Sequence, residues 1–274
     1  MTAEAKAQEL SCLLRALGWA AVAFSGGVDS SFLLAAAVEA LGAERVLALT
    51  ADSPLLPRRE LQRASQVAAE LGVRHQVILF DELCIPEVAE NHPRRCYFCK
   101  KARFTALQEL LRAHPGMVLL HGENADDAAD YRPGSEAARE LGVRAPLAEV
   151  GLTKAEIRFL SRRRGLSTAD LPAAACLATR FPYDTRLTLE GLARVERAEE
   201  ALHDVLGPIQ VRVRDHFPMA RIEVPPAEIM RVAAEGRRGL IVGALRALGY
   251  LYVTLDLAGY RMGAMNEPLE PKSG

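Results

Sequence analysis

Apolar and polar positions change period several times along the chain, and the changes divide it into elements. Up to about Gly122, short apolar runs alternate with stretches of helical period. The runs predict strands at Trp19 to Phe24, Arg45 to Thr50, Arg74 to Phe80 and Met117 to His121. Between them, helices are expected over Ser30 to Leu41, Pro57 to Leu71 and about Cys99 to Ala113. Strands alternating with helices are the signature of an α/β, doubly wound parallel sheet, whose ligands sit at the carboxyl ends of the strands. Thr153-Lys154-Ala155-Glu156 reads as a capping box opening a helix that ends at Gly165. After a loop around Cys176, a helix is expected from Leu189 to Leu206. Short strands follow at Ile209 to Arg214 and Ala220 to Val224, then a helical stretch from Pro226 to Leu248 and a strand from Leu251 to Leu257. The pattern predicts two domains, 1–185 and a smaller α+β domain over 186–274, with a frayed tail at Glu267 to Gly274.

Composition narrows the function without naming it. The 274 residues, 50% hydrophobic and 25% charged, suffice for a large core. With 34 basic against 35 acidic residues the chain has no global field to draw nucleic acid or an anionic membrane, so any anion site is local. No apolar run approaches the roughly 20 residues of a membrane span. Met1 to Leu14 lacks the pattern of a signal peptide, and a cytoplasmic location is expected. Five cysteines, an odd number in a reducing compartment, argue for metal or nucleophile chemistry over a disulfide framework. Cys12, on an apolar helical face, and Cys84, beside a strand end, read as core or bystander thiols.

The clearest chemistry lies in Ala21 to Ser31, where a buried strand runs through Ser25-Gly26-Gly27-Val28-Asp29-Ser30 into a helix. Adjacent glycines let the backbone approach an anion. Helix-start amides and the hydroxyls of Ser25 and Ser30 can bind its oxygens. The Gly-Lys-Ser/Thr of a Walker loop is missing, so γ-phosphate transfer is not indicated. The loop resembles the PP-loop of ATP pyrophosphatases, which implies adenylation with release of pyrophosphate and a magnesium role for Asp29. Asp52, past the second strand, reads either as an adenosine contact or as a plain turn. Gly122 to Asp127, with Asn124 and Asp127 among them, lie past the fourth strand and read either as oxygen ligands suited to magnesium at the same edge or as a solvated turn or helix cap.

Arg94-Arg95-Cys96-Tyr97-Phe98-Cys99-Lys100-Lys101 places two thiols at metal-ligand spacing among cations that favour thiolate. With Cys176, near Arg180, three cysteines can hold a 4Fe-4S cluster with one iron open or a zinc with one vacant position; Cys176 can equally act as a single nucleophile. In Val211 to His216 a strand alternation puts Arg212 and Arg214 on one face, either facing a substrate anion or simply exposed.

These segments together resemble the LarE family of sulfurtransferases, over most of the chain and in order. The resemblance is carried by the PP-loop, Arg95 to Lys100, Asn124 to Asp127 with Asp130 to Gly134, Gly151 to Arg158, Ala175 to Tyr183, and Tyr252 to Leu257 with Gly259-Tyr260-Arg261. It implies that ATP adenylates a carboxylate of pyridinium-3,5-biscarboxylic acid mononucleotide, after which sulfur replaces the activated oxygen during nickel-pincer nucleotide synthesis. Cys176 matches the sulfur-handling cysteine, which in some members becomes dehydroalanine and in others joins a cluster that holds sulfide. Cys96 and Cys99 beside Cys176 point to the cluster version. The resemblance also implies that Arg180, Arg212 and Arg214, with Glu200 and Glu223, form the substrate pocket, that Arg180 takes part in catalysis, and that the protein is a hexamer. The chain departs from the family pattern at Ala169 and Leu171, where tryptophan and lysine are usual.

Rival readings share the phosphate loop. A tRNA thiolase also pairs a PP-loop with cysteines, but the chain lacks a basic, aromatic-interleaved tract. An ammonia-using synthetase has no need of Cys176 and its neighbours. A nucleotide sensor would bind ATP without releasing pyrophosphate.

Overall fold

The computed structural model describes residues 1–128, 133–172, 175–261 and 263–264. Asp130-Tyr131-Arg132 and the tail from Glu267 lie outside the described residues. The chain forms two compact units, one of residues 1–82 and 94–174, the other of residues 83–93 and 175–274.

In the first unit, α1 (Ala3–Leu17) leads into β1 (Ala20–Ala23), α2 (Val28–Leu41), β2 (Val46–Asp52), α3 (Arg58–Glu70) and β3 (Arg74–Leu79). The short helix α4 (Pro86–Ala89) belongs to the second unit. The first resumes with α5 (Arg95–Leu111), β4 (Val118–His121), α6 (Ala125–Ala128), α7 (Pro133–Glu140), α8 (Pro146–Glu149) and α9 (Lys154–Arg163). The strands are parallel and ordered β3-β2-β1-β4. Successive residues of β1 and β2 enter different cores, as the pleat requires of a sheet covered on both faces. Ala20, Val22, Val46 and Ala48 pack with Leu10, Phe32, Val67 and Ile157 on one side. Ala21, Leu47 and Leu49 pack with Phe104, Leu107 and Leu111 on the other. The order reverses at β1, so the crevice for a ligand lies past the ends of β1 and β4, where Ala23 pairs with His121.

The capping box forms as expected. Thr153 Oγ1 accepts from Glu156 N at 3.3 Å, and Glu156 Oε2 accepts from Thr153 N at 2.9 Å. One helix starts earlier than its sequence signals. α5 begins at Arg95, so Cys96, expected just ahead of the helix, sits with Cys99 within its first two turns. Its cap is Arg94, with no side-chain hydrogen bond, and so leaves none of the usual start signals.

The second unit contains α10 (Leu189–Leu206), β5 (Arg212–His216), β6 (Met219–Glu223), α11 (Ile229–Ala233), α12 (Glu235–Ala247) and β7 (Tyr252–Leu255). β5 and β6 are antiparallel, β6 and β7 parallel. Thr188 Oγ1 caps α10 by accepting from Gly191 N at 3.0 Å. Leu202, Leu206, Val213, Ile222, Ile241 and Leu245 build the core. The stretch expected as one helix from Pro226 breaks at Ala234, which is extended at ψ 140°. Gly236, Gly239 and Gly243 lie beyond the break, within α12 itself, where glycine lowers helix propensity. β5 starts at Arg212, after a turn in which Ile209 N bonds to Gly207 O at 2.8 Å.

Candidate active site

The phosphate loop leaves β1 and turns at Gly26, whose φ of 70° lies in the left-handed region that glycine tolerates. A Cβ on Gly26 would stand 2.9 Å from the backbone nitrogen of Ala64, so even alanine cannot be seated there without movement of α3. Gly27 caps α2 with no side-chain hydrogen bond, leaving the helix-start amides and dipole for an anion. Ser25 Oγ lies 3.1 Å from Ser30 Oγ, and Ser30 Oγ donates to Gly27 O at 3.3 Å. The base of the loop is fixed across the sheet: Thr50 Oγ1 donates to Phe24 O at 2.7 Å and lies 2.8 Å from His75 Nε2. With the threonine proton committed to Phe24, His75 must be the donor in that contact.

Gly122 joins this loop to the segment after β4. A Cβ at Gly122 would stand 2.9 Å from Ser30 N and 3.1 Å from Asp29 C, so the two segments touch backbone to backbone. Asn124, buried, accepts at Oδ1 from Asp126 N at 2.9 Å and Asp127 N at 3.1 Å, which starts α6. Asp126 Oδ2 accepts from Lys154 N at 2.8 Å. Lys154 Nζ reaches Asp29 Oδ2 at 2.6 Å. Burial pushes the Asp29 carboxyl above its ordinary range; Lys154 and Asn124 offset part of that push and Asp127 adds to it. Among the described residues, Asp29 Oδ1 and Glu123 Oε2 are buried with no hydrogen bond to a donor.

Lys100 extends the cluster. Burial lowers its pKa, against the opposing charges of Glu123, Cys96 and Asp127. His121 is pushed down to about 3, by burial and then by Lys100, so its 3.8 Å approach to Glu123 is not an ion pair at neutral pH. Lys154 and Lys100 are functional candidates that the sequence reading left out. The capping box was the signal for Lys154, because it sets that residue at the first position of a helix facing the loop.

Other expected residues are placed differently. Asp52 closes β2 and forms an ion pair with Arg58, whose Nη2 also donates to Ser53 O at 2.7 Å. Cys96 is exposed. Cys99 is half-buried, 3.5 Å from Arg103 Nη2 and 3.8 Å from Glu82 Oε1, while Arg103 and Glu82 pair with each other. Among the described residues no group of three or more His, Cys, Asp or Glu is gathered to hold a metal ion.

In the second unit, Cys176 is half-buried and precedes a turn of 3₁₀ helix, Leu177–Arg180. Arg180 is 1% exposed and makes a two-pronged pair with Glu199: Nε to Oε1 and Nη2 to Oε2, each 2.9 Å. Burial pushes the Glu199 carboxyl up, but Arg180, Arg212 and the amide of Val213 outweigh it and hold the carboxyl below its ordinary range. Arg214 donates to Thr179 O at 2.7 Å and to Glu223 Oε2 at 2.6 Å. Arg221 Nη2 shares Glu223 at 3.2 Å. Arg212 is buried, donates to Val211 O at 2.8 Å and stands 5.7 Å from the ring centre of Tyr260. The alternative of an exposed strand face for Arg212 and Arg214 therefore fails. Glu200 is exposed on α10, and the acidic members of this cluster are Glu199 and Glu223.

A glycine turn at a parallel-sheet switch point, with a half-buried carboxylate and lysine paired beside it, defines a PP-loop α/β enzyme. Residues 17–101 match the NAD synthase family. The chain is 37% identical to pyridinium-3,5-bisthiocarboxylic acid mononucleotide synthase of Lactiplantibacillus plantarum, over 98% of this chain and 96% of that protein. It is 42% identical to an uncharacterised protein of Synechocystis sp., over 97% of this chain and 98% of that one. A third relative, an uncharacterised protein of Methanocaldococcus jannaschii, is 29% identical over 88% of this chain and 90% of its own length. The chain belongs to the LarE family, that of the pyridinium-3,5-bisthiocarboxylic acid mononucleotide synthases.

Proposed function

We propose that the protein uses ATP to adenylate a carboxylate of pyridinium-3,5-biscarboxylic acid mononucleotide, releases pyrophosphate, and replaces the activated oxygen with sulfur. The observation that carries this reading is the meeting of Gly122 with the Asp29–Ser30 backbone, beside a buried carboxylate oxygen that has no donor. Such a cradle suits a phosphate chain, with helix-start amides and Ser25 and Ser30 on its oxygens. Asp29 Oδ1 and Glu123 Oε2 are hard oxygen donors that fit magnesium, with Asn124 and Asp127 shaping their loop. Bound there, magnesium would supply charge neutralisation on the phosphates. Lys154 and Lys100 supply fixed positive charge as pyrophosphate departs.

Two sources of sulfur are compatible with these residues. In the first, which the resemblance implies, Cys96, Cys99 and Cys176 would be the three protein ligands of a 4Fe-4S cluster that holds a sulfide for transfer. Alternatively, Cys176 attacks the acyl adenylate and gives up its own sulfur. In this reading residues 1–185 bind nucleotide, and residues 186–274 bind substrate through Arg212 and build a cytoplasmic hexamer.

The test is anaerobic turnover with ATP, magnesium and the biscarboxylate mononucleotide, followed by an iron assay and intact mass. Pyrophosphate release that depends on the mononucleotide is expected, with a thiocarboxylate product. A loss of about 34 Da at Cys176 identifies the sacrificial route. Unchanged mass with bound iron and sulfide-dependent multiple turnover identifies the cluster route. No pyrophosphate from folded protein would refute the assignment.

A further inference from the structure

Sulfur delivery to an activated carbon tolerates little error in distance or angle, and a cysteine outside a helix or strand needs something else to hold it. In this chain side chains do so. The Cys176 carbonyl accepts three hydrogen bonds: from Thr179 N at 3.1 Å, Thr179 Oγ1 at 2.8 Å and Arg180 Nη1 at 3.0 Å. The same Nη1 reaches Ala175 O at 2.7 Å. The opposite edge of the guanidinium is committed to the two oxygens of Glu199, which also accepts from Val213 N at 3.1 Å. Arg180 and Glu199 are 1% and 3% exposed. Charges at that depth persist only when geometry and hydrogen bonding match them closely, and here both edges of the guanidinium are matched within the unit.

The resemblance to the family assigns Arg180 to substrate or catalysis. We propose instead that Arg180 is a positioning residue: it grips the carbonyls of Ala175 and Cys176, Glu199 fixes its orientation, and Thr179 completes the hold. This rests on the reading that Cys176 handles sulfur, and it adds how the chain aims that residue. The arrangement serves a nucleophilic cysteine and a cluster ligand alike, because both need the Cys176 backbone fixed.

The experiment separates aiming from binding. Thr179→Val, Thr179→Ser and Arg180→Lys are compared with the natural protein in two partial reactions. One is mononucleotide-dependent exchange of pyrophosphate into ATP; the other is thiocarboxylate formation. Thr179→Val and Arg180→Lys should keep exchange and the KM for mononucleotide within about threefold, while sulfur transfer falls about 100-fold, the scale of a misplaced reacting group. Thr179→Ser, which keeps the hydroxyl, should restore transfer. Hydrogen exchange over residues 175–181 should rise about tenfold in the two impaired variants and not in Thr179→Ser. A tenfold rise in KM, or loss of exchange, in Arg180→Lys would make Arg180 a substrate contact. Transfer and hydrogen exchange unchanged in Thr179→Val would overturn the proposal, and that variant decides the matter if Arg180→Lys does not fold. If the natural protein makes no thiocarboxylate, the functional reading fails, while hydrogen exchange still reports whether the turn is held this way.

Discussion

The phosphate loop of the first unit and the arginine turn of the second both bury charge, and they satisfy it in opposite ways. In the loop, Asp29 Oδ1 and Glu123 Oε2 meet no donor among the described residues, and burial raises the pKa of Asp29 despite Lys154. In the turn, Arg180 is paired at both edges and the pKa of Glu199 is lowered despite burial. A carboxylate oxygen whose hydrogen-bonding demand is unmet marks where a ligand's charge belongs. A fully matched pair marks a part that holds another part in place.

Substitutions in the loop should therefore remove chemistry and substitutions in the turn should misdirect it. The largest effect is expected at Gly26. Gly26→Val adds side-chain atoms against the Ala64 backbone and a residue unsuited to φ 70°, so adenylation should fall at least about 10³-fold and stability by about 1–3 kcal/mol. Pyrophosphate exchange and a thermal melt measure both. Next, Asp29→Asn should cut pyrophosphate release about 100-fold with the melting temperature at neutral pH unchanged or higher. The sign follows from the raised pKa: ionising Asp29 costs stability as pH rises through its folded value, and asparagine removes that cost. Lys154→Gln should lower exchange by about tenfold, since it removes one charged contact from the loop. A melting temperature that fell sharply in Asp29→Asn would show that the loop carboxylate is structural after all.

The smallest effect at neutral pH grows with acid. His121 has a folded pKa of about 3, below its ordinary 6.5, so the unfolded chain takes up the proton first and stability is lost as pH falls from 6.5 toward 3. Trp19, the single tryptophan, reports on this unit. Its urea midpoint should decline over that range and decline less in His121→Gln. Glu199 acts lower: with a folded pKa below 4.5, the stability it contributes is complete above 4.5 and lost as pH falls through the folded value. Glu199→Gln should flatten that lower limb and, because it leaves the buried Arg180 charge unmatched, lower stability at neutral pH as well, read by hydrogen exchange in α10.

Much of this was legible before any coordinates. β1, β2 and β4 announce themselves because they are largely buried, which makes them apolar runs, and the phosphate loop because its glycine pair is local; β3, exposed along much of its length at the sheet edge, shows only in its Val77 to Phe80 end. The start of α5 was not legible, since Arg94 supplies no capping side chain. Glu199 carried a local signal that was legible too. Leu192, Val195, Leu202 and Leu206 form a stripe at helical spacing, and Glu199 falls in its one gap. A carboxylate in an apolar stripe needs a buried cation, and only the fold shows that Arg180 is that cation. The alternation in Val211 to His216 was read correctly as one shared face for Arg212 and Arg214, but burial of both faces of β5 depends on elements far along the chain.

The bond between Lys154 and Asp29 also bears on the thermodynamics of nucleotide capture. Because the ammonium neutralises the carboxylate and α9 holds the lysine by its capping box, the loop keeps its shape through contacts within the chain. Little backbone entropy is then lost when ATP arrives, and the main cost is exchanging one set of electrostatic contacts for another. Nucleotide binding should accordingly weaken with added salt far more than with added denaturant below the unfolding transition.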